Sequence, residues 1–159
     1  MREVMTATKK PVEKIESSRF GTLEVEEEII ITFSEGLPSF EQCRRFVILT
    51  PDDNNPIRWL QSLEDGRLAF PIIDPWLFQP DYAPTISDLD AEKLQMDEQT
   101  PKLLFVIVTV PRDNPQAMTA NLLAPLLINL LTRQGRQVIV TNDNYHTRHR
   151  ILHTVAHAA

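Results

Sequence analysis

Apolar residues along this chain fall in short runs, many alternating with polar ones, and the runs are broken by proline, glycine, aspartate and asparagine. That period suits strands with one buried face. Glu13 to Phe20 and the stretch through Leu23 and Val25 read as a hairpin around Gly21, and Ile29 to Phe33 as a short apolar strand. Ser34 to Pro38 is a turn cluster, with Ser39 placed to cap one helical turn through Cys43. Arg45 to Thr50 is the next strand, and the loop Pro51 to Pro56 follows. Trp59, Leu60 and Leu63 then precede Glu64-Asp65-Gly66, and Leu68, Phe70, Ile72 and Ile73 follow it, which predicts a second hairpin.

From Asp74 to Tyr82 the pattern changes: Trp76, Phe78 and Tyr82 stand among Pro75, Pro80 and Pro84. Proline keeps this segment out of a regular sheet, so not all three rings are expected to face inward. Ser87 is an expected N-cap, with Asp88 and Asp90 favouring the helix dipole and Leu89, Leu94 and Met96 as the apolar side, up to Thr100-Pro101. Lys102 to Val110 is apolar on both faces and predicts a strand covered on both sides. Met118 to Leu131 must break or bulge at Pro125, and Thr132 to Arg136 is expected to turn into a last strand, Gln137 to Thr141. The prediction is a mainly β fold: a small antiparallel β-barrel-like domain of about nine short strands with one or two short helices. Residues 1–13 are expected to be a flexible tail, 14–150 a single β domain, and 151–159 a C-terminal tail.

Composition narrows the class. A chain of 159 residues with 42% apolar residues supports one core. No apolar run is long enough to span a bilayer and the N-terminus has no secretory pattern, so a cytoplasmic protein is expected. The net charge of −6 is unevenly spread: residues 21–100 carry seventeen acids against five bases, whereas residues 101–159 carry six bases against two acids. An acidic middle repels phosphate backbones and attracts basic protein surfaces, which argues against direct nucleic-acid binding.

Catalytic patterns are sparse. The four glycines, at 21, 36, 66 and 135, all fall at predicted turns and form no phosphate-binding loop. Cys43 is alone. His149, His153 and His157 have helical spacing, but they lie in a terminal segment with no carboxylate between them, and no metal or other cofactor is expected. Asp74 and Asp81 flank the aromatic segment as a carbohydrate-binding or hydrolase cleft would require, yet each adjoins a proline where aspartate bonds its own backbone. An interface is the reading favoured for the rings, because anchors on a rigid loop lose little entropy on docking.

Four ordered blocks carry a resemblance. They are ITFSEGLPSFEQCRRFVIL (Ile31 to Leu49), WLQSLEDGRLAFPIIDPWLFQPDY (Trp59 to Tyr82), FVIVTVP (Phe105 to Pro111) and MTANLLAPLLIN (Met118 to Asn129). Together they resemble the flagellar assembly factor FliW family. The resemblance implies a non-enzymatic, cytoplasmic regulator of flagellum biogenesis with a small barrel-like fold. It further implies two partners: flagellin, and the RNA-binding repressor CsrA, whose sequestration relieves repression of flagellin translation. The chain departs from the family pattern at His146 and Arg150, where prolines are usual, and at Ser34 and Ser39 in the first turn. Acidic residues Glu35, Glu64, Asp65 and Asp81 are expected to meet CsrA, and Trp76, Phe78 and Tyr82 to form an apolar contact surface.

Overall fold

The computed structural model describes residues 10–151. An N-terminal hairpin, β1 (Val12–Ser17) and β2 (Gly21–Glu26), forms a two-stranded sheet of its own. Val12 and Glu13 thus belong to a strand inside the stretch expected as a tail. Residues 1–9 and 152–159, with His153 and His157, lie outside the described residues, and Ile151 is buried.

The larger sheet contains β3 (Ile31–Thr32), β4 (Arg45–Leu49), β5 (Arg58–Ser62), β6 (Ala69–Ile73), β7 (Lys102–Thr109), β8 (Thr119–Ala120), β9 (Leu126–Asn129), β10 (Gln134–Gln137) and β11 (His149–Arg150). The first half of β7 pairs with β9 and its middle with β6, so the order β7-β6-β5-β4-β3-β10-β9 returns to β7. Seven strands therefore close into a barrel, as the fold expected from the sequence requires, and closure removes the free edges an open sheet would carry. Neighbours in the barrel are antiparallel except at the single parallel bridge between β10 and β3. The far end of β7 leaves the barrel to pair with β8, and β8 pairs in turn with β11.

β7 is buried on both sides because it serves two cores. Phe105 points into the barrel with Ile31, Phe33, Phe46, Leu60, Ile72 and Leu126. Val106 and Val108 point the other way, to Ile73, Tyr82, Ala120, Leu122 and Ile151. The break expected at Pro125 falls between β8 and β9.

Several local expectations are corrected. The stretch Ile29 to Phe33 is not one strand: a 3-10 turn at Glu27–Ile29 precedes the two-residue β3. Ser39 caps no helical turn; its φ is +72°, a left-handed conformation that a helix cannot start from. The single α-helix among the described residues, α1 (Asp88–Lys93), starts as expected with the Ser87 hydroxyl accepting from the Asp90 amide, but it stops at Leu94 rather than at Thr100. Leu89 is 59% exposed, so the apolar side of α1 consists of Leu94 with Met96 beyond its end. Gln137 to Thr141 is not the last strand either. The Asn129 carboxamide oxygen accepts from Leu131 and Thr132 amides, and Arg133 takes φ +63°, so the chain turns early and β10 is already paired at Gln134. Val138 and Val140 then hold the chain by single backbone bonds to Pro125 and Leu123, which leaves Ile139 68% exposed.

The N-terminal hairpin docks on the β5–β6 turn through polar contacts. Ser17 Oγ donates to Gln61 Oε1 at 2.8 Å, and the Ser18 amide to the Gly66 carbonyl at 2.9 Å. Gln61 is fully buried, and its amide nitrogen spends its protons on the carbonyls of Ser62, Leu68 and Gly66. Arg45 bridges Glu13 on β1 and Glu64 on the turn.

Candidate partner-binding surface

The aromatic loop is built by short-range bonds and then fastened from a distance. The Asp74 carboxylate accepts from the Trp76 amide at 2.9 Å and starts the 3-10 turn Pro75–Leu77. The Trp76 ring is 40% exposed, while its indole nitrogen donates inward to the Tyr82 carbonyl at 2.8 Å. Ala83 donates its amide to the Tyr145 hydroxyl at 2.8 Å, and Thr85 donates to the Asn142 carboxamide at 2.7 Å. Phe78 is half-buried against the His149 ring. The segment between Asn142 and His149 therefore clasps the loop.

Tyr82 differs from the expectation that it is a partly exposed contact ring. It is 4% exposed, its hydroxyl donates to the Leu122 carbonyl at 2.6 Å, and its ring meets Tyr145 edge-on at 4.7 Å. The prolines bend the backbone enough to bring this ring back into the second core. Burial, with a smaller contribution from Tyr145, pushes its hydroxyl well above the usual phenol range.

The four singled-out acids do not form one cluster. Glu35 lies on the surface between Lys93 at 3.2 Å and Arg136 at 2.8 Å, and the hydrogen bond from Arg136 does most to hold its carboxyl below the usual range. Glu64 and Asp65 line a separate depression with Arg67. Asp65 accepts from the Arg67 amide at 2.9 Å, a turn contact. Asp81 is exposed and accepts from the Gln79 side chain at 2.8 Å. Asp74 forms the bond to its own backbone expected of a turn residue, whereas Asp81 bonds a side chain, Gln79, instead of the backbone. Among the described residues no group of three His, Cys, Asp or Glu is placed to hold a metal ion. No helix among them is long and apolar enough to cross a membrane.

Glu64 gives a pH-dependent contact. Partial burial pushes its carboxyl up, but donation from the Arg45 amide and guanidinium and from the Arg44 amide outweighs this, so it titrates below its ordinary value of 4.5. A depressed folded-state value means that the contact stabilises above that ordinary value and is lost as pH falls through the folded one. The thermal midpoint is therefore expected to drop as pH falls below that ordinary value of 4.5, with a smaller drop in Glu64→Gln. Identical acid limbs for the two proteins would remove Glu64 from the account.

Beside Trp76 lies a feature that the sequence did not reveal, a groove of about 750 Å³. Its floor is apolar, with Tyr82 and Leu127 buried and Ile86, Met96 and Leu104 half-buried. Its rim carries Asp88, Asp97, Glu98 and Lys102, all exposed. Met96 was legible as part of the apolar side of a helix, but nothing in its spacing shows that Leu104 and Leu127 complete the same surface.

Residues 14–151 match the family model described as FliW protein. The chain is 40% identical over 133 residues to the flagellar assembly factor FliW of Thermotoga neapolitana, covering 84% of this chain and 89% of that one. It is 41% identical over 142 residues to the FliW of Alkaliphilus metalliredigens, covering 89% and 87% respectively. A solved structure, the crystal structure of the flagellar assembly factor FliW, superposes with a TM-score of 0.81 at 38% identity, covering 87% of this chain and 96% of the other. With the matched span, the sequence identities and the superposed fold in agreement, the chain belongs to the FliW family of flagellar assembly factors.

Proposed function

We propose that this protein is a non-enzymatic, cytoplasmic regulator that binds flagellin and sequesters the repressor CsrA, so that free flagellin controls its own translation. Family membership over residues 14–151 is the observation that carries this reading. The surface chemistry supports it. Trp76 offers a fixed, part-exposed ring on a loop fastened at both ends, and such a ring docks at low entropic cost. The acidic middle of the chain suits the basic surface of an RNA-binding partner. Flagellin displaces CsrA only if the two cannot be held together equally well, so the switch requires negative coupling between them.

The test is binding of purified flagellin and purified CsrA to the full chain over a salt series. Both are expected to bind, and saturating flagellin to weaken CsrA. Asp81→Lys and Glu35→Lys are expected to weaken CsrA by about tenfold together and to flatten its salt dependence. Asp81→Lys is the cleaner of the two, since Glu35 also partners Lys93 and Arg136. Unchanged CsrA affinity across the series would sink the acidic assignment, and failure of both proteins to bind would sink the reading itself.

A further inference from the structure

We infer that the N-terminal hairpin β1–β2 is a strap that lifts as one unit from the outer face of β4 and β5 while the barrel stays closed, uncovering that face. Strand register defines the face. Phe46, Ile48 and Leu60 pack inside the barrel, so the cross-strand pairs Val47 with Gln61 and Leu49 with Trp59 point out of it. A barrel exterior ordinarily meets water, yet Val47 is 1% exposed and Gln61 fully buried. The hairpin is what covers them. Leu23 and Val25 share one apolar cluster with Val47, Leu49 and Leu63, and the Trp59 ring meets the Phe20 ring edge-on at 6.0 Å and the Arg19 guanidinium at 4.0 Å.

The cover is separable because it is bonded to itself more than to what it covers. Among the described residues it shares no strand ladder with the barrel, and the Ser18 amide's bond to the Gly66 carbonyl is the single backbone hydrogen bond between them. Ser17 to Gln61 and Glu13 to Arg45 are the side-chain links. Within the hairpin, six residue pairs are in register, Thr22 donates to Glu16 at 2.9 Å, and the Glu27 amide closes the base on the Pro11 carbonyl at 3.0 Å. Just beyond that base Glu28 and Ile29 are exposed, a pivot before Ile30 and Ile31 are buried. Lifting also leaves Gln61 satisfied: it keeps the carbonyls of Ser62, Leu68 and Gly66 and exchanges only Ser17 for water. Such an opening lies below global unfolding in free energy. A two-stranded hairpin alone is marginal in water, so its amides lose protection once it lifts. Neither flagellin nor CsrA is needed for the strap to lift, so its test and that of the proposed function fail separately.

Native-state hydrogen exchange on the full chain at low denaturant tests it. The bonded amides of β1 and β2 are expected to exchange through an opening with a shallower denaturant dependence than those of β7 and β9, because less surface is exposed. Ile128→Val supplies the second comparison. Ile128 is fully buried inside the barrel on β9, whose partners are β7 and β10. Loss of its methyl group is expected to speed exchange on β7 and β9 about fivefold through global unfolding. Exchange on β1 and β2 is expected to stay unchanged, since lifting the strap keeps every contact Ile128 makes. The denaturant slopes come from the unaltered chain and depend on no variant. One slope shared by hairpin and barrel amides, or equal acceleration of both groups by Ile128→Val, would show that the hairpin comes away only when the barrel unfolds, and would overturn the inference.

Discussion

Gly66→Ala is expected to destabilise the protein by about 3 kcal/mol, a fall in thermal midpoint of about 10 °C. Gly66 sits where the β5–β6 turn presses on β1, and a Cβ placed there would lie 1.8 Å from the backbone carbonyl oxygen of Glu16. No side-chain rotation relieves a clash with backbone, so the turn or the hairpin must move. Either movement strains the Ser18 amide's bond to the Gly66 carbonyl and the buried pair between Ser17 and Gln61. Gln61 is fully buried, and each buried polar group left unpaired costs about 1 to 3 kcal/mol. Gly21 provides the control. Its φ is +76°, but nothing lies within 4 Å of a Cβ there, so Gly21→Ala carries only the backbone cost of about 1 kcal/mol. Equal midpoints for the two variants would show that the hairpin is not pinned at Gly66.

For Tyr82→Ala the expected loss is about 4 kcal/mol, because the ring is interior and the space it leaves is walled by Tyr145, Leu122 and Trp76. Tyr82→Phe keeps the packing and deletes only the bond to the Leu122 carbonyl, at a cost of about 1 to 2 kcal/mol. The raised hydroxyl pKa adds a signature that packing alone cannot give. Its stabilising contribution is complete below the ordinary phenol value of 10.0 and declines as pH rises past it, since only the unfolded chain then ionises freely. Alkaline destabilisation beginning near that pH should be smaller in Tyr82→Phe. Chemical denaturation of the three proteins at neutral and alkaline pH checks both statements. A Tyr82→Ala loss below about 1 kcal/mol would return the ring to the surface.

Much of the barrel was legible from local pattern. Alternation at the β5–β6 hairpin, the double-faced run of β7, the Ser87 cap and the break near Pro125 each express a rule that acts within a few residues. The errors cluster where a distant group decides. β10 begins at Gln134 because Asn129 caps the turn before it, and because Gly135 lies against the Phe33 ring with no room for a Cβ. β11 is only two residues long and exists because β8 offers it an edge. Tyr82 shows the same limit within the candidate site: prolines correctly marked an irregular aromatic loop, but which ring turned inward depended on the Leu122 carbonyl, forty residues away. The acids illustrate it too, since Glu64 is committed to Arg45 by a turn that brings the two side by side.

By itself the sequence determined a mainly β chain with an acidic middle, a proline-broken aromatic loop and the ordered blocks of the FliW family, because strand period, turn chemistry and block order are local or linear properties. Only the tertiary structure decided that Trp76 stays outside while Tyr82 goes in. It alone brought Ile86, Met96, Leu104 and Leu127 together into one groove. The reason is physical: a groove is made of side chains from separate strands and loops, and barrel closure, which sets those neighbours, is a property of the whole sheet.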